Sequence, residues 1–343
     1  MDNLTHALTG MVIAKTGLDR NQPKIAVRAL WVSALFPDID CVVQLFRSEE
    51  FIFYHRGFTH SLFGLPIFAL LLGALFYAFS PSERHGPEGL TPPLRGDLLG
   101  KARGFLAARR LWYLSLLCAL GLLSHIGLDL ITSYGTLILA PFSDRRYFLD
   151  YVFIIDPIFT AIVGLPLLYG WWRGQRSEQL HRASLLLLLV YIGFCGLHRQ
   201  IALNRVQEAA LRLNPEVRRI DVLPQPLSPF RWTGLVETPT GSYQTWFGVY
   251  SSKPLQFQAF PYKANPYVRI ANRLELIKLY HWFARYPIIH YKEMGNRHVV
   301  EYFDLRFNTA LPGLGFRRYP FVMEVILDGR GRVLKQGFKR FHS

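Results

Sequence analysis

Apolar residues in this chain come in long blocks rather than in short alternations. Four blocks approach the roughly 20 residues that a helix needs to cross a bilayer: residues 61–79, 111–131, 151–172 and 183–203. The last contains Leu185-Leu186-Leu187-Leu188-Leu189-Val190. Two weaker segments precede them. Residues 4–18 read as a short, mildly amphipathic helix with His6 near its start, and residues 25–46 are apolar until Pro37-Asp38-Ile39-Asp40 interrupts them. Neither makes a span alone; both read as half-buried helices packed against the others. Beyond about residue 205 the long runs stop. Residues 243–250, 299–307 and 321–327 read as strands, with Asp328-Gly329-Arg330-Gly331 as a turn, and residues 268–284 as one amphipathic helix. The pattern therefore predicts a mainly α membrane helix bundle in residues 1–205, with about four long spans and two shorter N-terminal helices. A C-terminal α+β extramembrane domain is expected in residues 206–343.

Charge orients this arrangement. Half of the 343 residues are hydrophobic, yet the formal net charge is +15. The basic residues are dispersed among apolar runs, which suits a membrane protein with basic loops and gives no reason to expect a nucleic-acid partner. Residues 80–110 carry Arg84, Arg95, Lys101, Arg103, Arg109 and Arg110; residues 173–182 carry Arg173, Arg176 and Arg182. Short basic loops stay in the cytoplasm. The 132–150 loop, the polar motifs described next and everything after Leu203 then face the other side. Asp2 and the lack of a basic leader make a cleaved signal peptide unexpected. Cys41, Cys118 and Cys195 lie far apart in apolar surroundings, without metal-binding spacing, and are expected to be small buried hydrophobes.

The polar residues at the ends of the apolar blocks carry the chemistry. His55-Arg56-Gly57-Phe58-Thr59-His60-Ser61 sets two histidines around a glycine turn, so both rings can enter one pocket. His125 and Asp129 are four apart, hence on one helical face. Asp38 and Asp40 crowd two carboxylates together, which repel unless a cation or arginine neutralises them. Imidazole and carboxylate are ligands of Zn²⁺ and related divalent ions, and ionisable groups beside membrane spans are functional candidates. The ligand pool is His6, Asp38, Asp40, His55, His60, His125 and Asp129. Blander roles stand beside this one: helix capping for Asp38 and Asp40, an interhelical hydrogen bond for His125 and Asp129, and an interfacial anchor for Arg56. His281, His290 and His298 read as surface or packing residues, and Glu301 and Asp304 as surface charges.

Met1-Asp2-Asn3-Leu4-Thr5-His6, Pro37-Asp38-Ile39-Asp40, the 55–61 motif and His125-Ile126-Gly127-Leu128-Asp129-Leu130-Ile131-Thr132-Ser133-Tyr134-Gly135-Thr136 together resemble the YdjM-type family. Its members are described as inner-membrane metal-dependent hydrolases, one branch as LexA-binding. The resemblance covers about residues 1–170. That family is distantly similar to zinc-dependent phospholipase C and the S1/P1 nucleases. The similarity implies zinc, with His125 and Asp129 as a helix pair and His6, Asp38 and His55 or His60 as further ligands. A second His-x-x-x-Glu pair is not evident, which leaves a three-zinc cluster without its full ligand set. The expected activity is metal-assisted hydrolysis of an ester or phosphoester in an anionic lipid or envelope substrate. Asp40 is a candidate general base, and Arg56 pairs with an anionic substrate group. The rival is a non-enzymatic membrane protein that binds a metal or scaffolds a partner.

The charge pattern makes one topological prediction. In intact spheroplasts, a thiol placed by Ser343→Cys should react with a membrane-impermeant reagent without lysis. Labelling only after lysis reverses the orientation.

Overall fold

In the computed structural model, α1 (Asn3–Ile13) begins where Asp2 accepts the Thr5 N–H at 3.0 Å, a side-chain cap for an N-terminal donor that lacks an intrahelical acceptor. It runs into a π-helical turn, Ala14–Leu18, where Gly17 takes φ 121°. Helix α2 (Pro23–Leu35) opens on a proline, which the first turn tolerates. Pro37 cannot donate to a helix ladder, and the chain tightens there into a 3₁₀ turn, Phe36–Val42. Two short helices follow, α3 (Val43–Phe46) and α4 (Phe51–Tyr54). The long helices are α5 (Gly64–Ala78), α6 (Asp97–Leu130), α7 (Pro157–Arg173) and α8 (Glu178–Leu213). The structure describes residues 1–20, 23–46, 49, 51–79, 97–174, 177–213, 216–262, 265–309 and 321–339. They form two compact units: residues 1–40, 56–148 and 157–191, and residues 41–55, 149–156 and 192–343.

Among the described residues three stretches are long and apolar enough to span a membrane: Lys24–Phe46, Ala108–Leu130 and Glu178–Leu213. Residues 51–60 and 64–78 make a fourth only as one span bent by 71°. The expected segments therefore shift. The second N-terminal segment is span-length because its 3₁₀ turn continues α2 past the proline. The 151–172 block yields the shorter α7, which begins only at Pro157. The expected 80–110 loop is helical from Asp97 onward, and its residues 80–96 lie outside the described ones.

The first unit packs by close backbone approach. A Cβ on Gly121 of α6 would sit 2.9 Å from the Leu30 carbonyl of α2, and one on Gly10 of α1 would sit 2.6 Å from it. Helix α2 is thus pressed between α1 and α6 where both lack side chains, the close packing that membrane helices use when lipid removes the hydrophobic drive. Ala26, Ala29, Leu30, Ala69, Leu72, Leu117, Cys118 and Leu122 fill the core around this crossing. Apolar side chains also point outward: Leu186, Leu187, Leu189 and Val190 of α8 are each more than half exposed.

In the second unit two four-stranded antiparallel sheets follow one another: β1 (Arg219–Gln225), β2 (Ser228–Thr238), β3 (Gly241–Gly248) and β4 (Gln258–Pro261), then β5 (Pro287–Met294), β6 (Arg297–Asp304), β7 (Met323–Asp328) and β8 (Val333–Phe338). Ala202, Val206 and Ala210 of α8 pack on Val222, Trp232 and Val236. The expected strands are present, the middle one closing with a 3₁₀ turn at Leu305–Phe307. The expected 268–284 helix is two, α9 (Pro266–Ala271) and α10 (Glu275–Phe283), because Leu274 is extended and the Asn272 side chain turns to the Tyr302 hydroxyl at 2.7 Å.

Three surface or burial expectations fail. Cys41 is exposed, unlike Cys118 and Cys195. Glu301 is 7% exposed, bridged by Lys292 and Lys339. Asp304 is 1% exposed and accepts the N–H groups of Arg285, Tyr286 and Arg306 as well as Arg306 Nε. Asp304 belongs to a buried charge network in which Arg285 grips Asp150 with both terminal nitrogens and reaches Asp221 at 2.9 Å. Burial, reinforced by the Asp221 carboxylate, pushes the Tyr286 phenol well above its ordinary value, and its hydroxyl donates to Asp221 at 2.9 Å.

The α2–α6 crossing is testable. Gly121→Val should lower the unfolding temperature of detergent-purified protein, an overpacking cost of about 1–3 kcal/mol. Gly193→Ala, with nothing within 4 Å of the new Cβ, should hold or slightly raise it. Equal behaviour of the two variants would contradict the close crossing.

Candidate metal centre

Four elements of the first unit deliver the site. The 3₁₀ turn after α2 presents Asp38, the turn Phe58–His60 presents His60, and the last turns of α6 present His125 and Asp129. Helix α1 lays His6 against them, its ring stacked on His125 with centroids 3.7 Å apart. His6, His60, His125 and Asp129 are all buried; Asp38 keeps 13% of its side chain accessible.

Hydrogen bonding sets how the rings are protonated. His125 Nδ1 lies 2.6 Å from the Ala34 carbonyl, which only accepts, so Nδ1 carries the proton. Thr59 Oγ1 donates to Asp40 at 3.0 Å and therefore accepts from His60 Nδ1, also at 3.0 Å. In the neutral rings both Nε2 atoms then carry lone pairs, and they face each other at 3.0 Å. Such an approach is repulsive without a proton or cation between them.

The carboxylates converge on the same point. Asp38 Oδ1 lies 3.5 Å from His60 Nε2 and 3.6 Å from His125 Nε2. Asp129 Oδ2 lies 3.3 and 3.5 Å from the same two nitrogens. One donor atom from each of the four residues falls within 4.8 Å of every other. A tetrahedral ion with bonds of about 2.1 Å spaces its donors by roughly 3.4 Å, so the observed spacings fit one. Orphaned atoms point the same way: Asp129 Oδ2 has no hydrogen-bond partner among the described residues, nor has either ring nitrogen of His6.

Asp129 divides its labour. Oδ2 faces the histidines, while Oδ1 receives Arg56 at 3.0 Å, lies 3.3 Å from His6 Nε2 and contacts the Met1 ammonium. Arg56 is 2% exposed. Its other terminal nitrogen donates to Thr132 Oγ1 at 3.1 Å, and its guanidinium lies 4.8 Å over the Tyr134 ring. Its backbone holds φ 59° with the N–H donated to Asp40 at 2.9 Å and the carbonyl accepting from Leu137. Left-handed backbone disfavours a side chain this large, so these bonds hold a strained turn in place.

The structure thus gathers Asp38, His60, His125 and Asp129 as donors and sets His6 and Arg56 against Asp129. Asp40 is placed behind His60: its Oδ2 takes the Arg56 and Thr59 donors and lies 3.3 Å from His60 Nδ1. His55 is not among the four donors. It falls in the second unit, where its ring stacks on Phe51 and Nδ1 lies 3.7 Å from Cys41 Sγ. The support from Thr59 and the Ala34 carbonyl was not foreseen. A backbone carbonyl carries no sequence signal; Thr59 could have been noticed only by its place next to His60.

An uncharacterized protein of Bacillus subtilis (strain 168), YfhP, is 24% identical over 338 residues, covering 94% of this chain and 90% of that protein. No solved structure matches. The family model described as YdjM inner membrane protein matches residues 1–202, the segment that carries every donor of the cluster. The chain belongs to the YdjM inner membrane protein family, and an inner-membrane setting for its apolar helices follows.

Proposed function

We propose that this chain is a membrane-embedded, metal-dependent hydrolase acting on an ester or phosphoester of a lipid or envelope-associated substrate. The facing of two imidazole lone pairs at 3.0 Å, with two carboxylates converging on them, carries the reading. His60, His125 and Asp129 would hold the ion, and their mixed nitrogen and oxygen donors suit zinc. When bound, such an ion polarises an ester or phosphoryl oxygen and lowers the pKa of a coordinated water toward ~7. Asp38, the least buried of the four, takes the proton of the attacking water at its carboxylate. Asp40, with Oδ2 already committed to the 56–60 turn, orients His60 rather than acting as the base. Arg56 Nε has no hydrogen-bond partner among the described residues and supports a role toward an anionic substrate group. The preference for phosphoesters rests on the resemblance to zinc phosphodiesterases, and a site on the extracytoplasmic face rests on the basic loops.

A second reading follows from the same tetrahedral spacing. Four protein donors close a structural site, whereas a catalytic one keeps a position open. Asp38 separates the two. In a hydrolase, Asp38→Asn should retain metal by elemental analysis while abolishing turnover across a panel of phospholipids and phosphodiesters. In a closed structural site the same substitution should release the metal. His125→Ala should lose metal in either case; full occupancy in folded His125→Ala protein would remove the site altogether.

Arg56 gives an independent check. Lysine keeps the charge but cannot hold Asp129 and Thr132 at once with two terminal nitrogens. Arg56→Lys should weaken metal binding by roughly tenfold or more, as expected for loss of a ligand's orienting partner, measured by competition with a chelator. An unchanged affinity would show that Arg56 does not orient Asp129.

A further inference from the structure

A cavity lies at the other end of α1 from His6. Its volume is about 480 Å³, and α1, α7 and the start of α8 enclose it. Leu8, Leu167 and Trp171 make its walls apolar, while Lys15, Asp19 and His181 are polar residues lining it. Two of these polar residues are buried: Asp19 is 5% exposed and His181 3%.

His181 has a defined hydrogen-bonding deficit. Its Nδ1 lies 2.7 Å from the Ser177 carbonyl and so carries the ring proton of the neutral side chain. Nε2 is then an acceptor, and it has no hydrogen-bond partner among the described residues. A buried acceptor left unmade costs free energy, so a ligand that enters here gains by bringing a donor. The Asp19 carboxylate asks for the same chemistry. Glu178, which also lines the cavity, is already engaged by Arg20 and Arg182. Lys15 is the cation of the lining and suits a phosphate, while Arg20 and Arg182 neutralise Glu178.

The surrounding surface says where the ligand comes from. Leu165, Leu168, Trp171 and Trp172 of α7 are 62%, 56%, 81% and 71% exposed, an apolar face that belongs against lipid in a family of inner-membrane proteins. We infer that this cavity seats the headgroup of a membrane phospholipid that carries a hydrogen-bond donor beyond its phosphate. The donor, an ammonium or a hydroxyl, meets His181 Nε2 and Asp19; the phosphate meets Lys15; the acyl chains leave along α7. The site is separate from the metal cluster, and neither depends on the other's assignment.

Phosphatidylethanolamine and phosphatidylcholine have the same net charge, but only the first has N–H donors, so the pair isolates the interaction. Full-length protein in detergent is titrated with phosphatidylethanolamine, phosphatidylglycerol and phosphatidylcholine of matched chains, and retained lipid is counted by native mass spectrometry. Phosphatidylethanolamine, phosphatidylglycerol or both should be retained roughly fivefold or more over phosphatidylcholine, the equivalent of one net hydrogen bond. A preference confined to one of them identifies the donor as ammonium or hydroxyl. His181→Phe keeps an aromatic ring but not the acceptor; it should bind all three lipids alike, with an unfolding temperature equal to wild type as the check on folding. Equal retention of the three lipids by wild-type protein overturns the inference. So does a preference that survives in His181→Phe.

Discussion

Two imidazole nitrogens held 3.0 Å apart set the terms for the rest of the first unit. Neither ring can turn away. His125 is tied to a carbonyl of α2, and His60 is tied through Thr59 to Asp40. Each anchor removes the proton that would otherwise bridge the facing nitrogens. A proton or a cation at their midpoint offsets the cost of that arrangement, and the converging carboxylates stabilise either positive charge. Helix packing serves the same end. The glycine crossing that draws α6 onto α2 also brings His125 within reach of the Ala34 carbonyl, so backbone approach and ligand orientation are one constraint.

A membrane setting suits a cluster whose polar groups are kept in the interior. Residues 1–191 contribute few soluble-type layers; their helices expose leucine and tryptophan outward and keep small residues between helices. Polar groups are then confined to helix ends and to the interior, where each must find a partner. His6, Arg56 and Asp129 form one such interior group. Arg56 neutralises Asp129 on its supporting oxygen and leaves the other oxygen turned to the histidines, which is how one carboxylate acts as both anchor and donor.

The second unit solves the burial of charge differently. Asp150, Asp221, Asp304, Arg285 and Arg306 are packed together with few unmade bonds, and the network joins the 149–156 segment to β1, β6 and the turn ahead of β5 within that unit. Removing one partner from such a set leaves a buried charge uncompensated. Asp150 holds φ 57° while Arg285 grips its carboxylate with both terminal nitrogens; at Arg56 the comparable strain is held by backbone bonds to Asp40 and Leu137. The alternation expected of surface strands was only partial here because β6 is buried on both faces, from His298 through Asp304.

Local pattern was enough to determine the helical, membrane-embedded character of the N-terminal part, the strands after about residue 205, and the motifs that hold the candidate ligands. Apolar block length and the i, i+4 spacing of His125 and Asp129 are properties of the chain itself, and they survive folding. Which histidine of the 55–60 pair joins the cluster was not a local property. His55 and His60 are equivalent by residue type and both lie close to Gly57 in sequence; the left-handed turn at Arg56 and the Thr59–Asp40 bond accompany the placing of His60 in the donor group. Likewise Asp38 and Asp40 differ by two positions, yet in the 3₁₀ turn one faces the histidines while the other accepts from the loop behind them. Tautomers, the pairing of Arg56 with Asp129, and the burial of Asp304 depend on atoms contributed by distant segments, including backbone carbonyls that no side-chain pattern encodes. Those were decided only when tertiary packing brought the segments together.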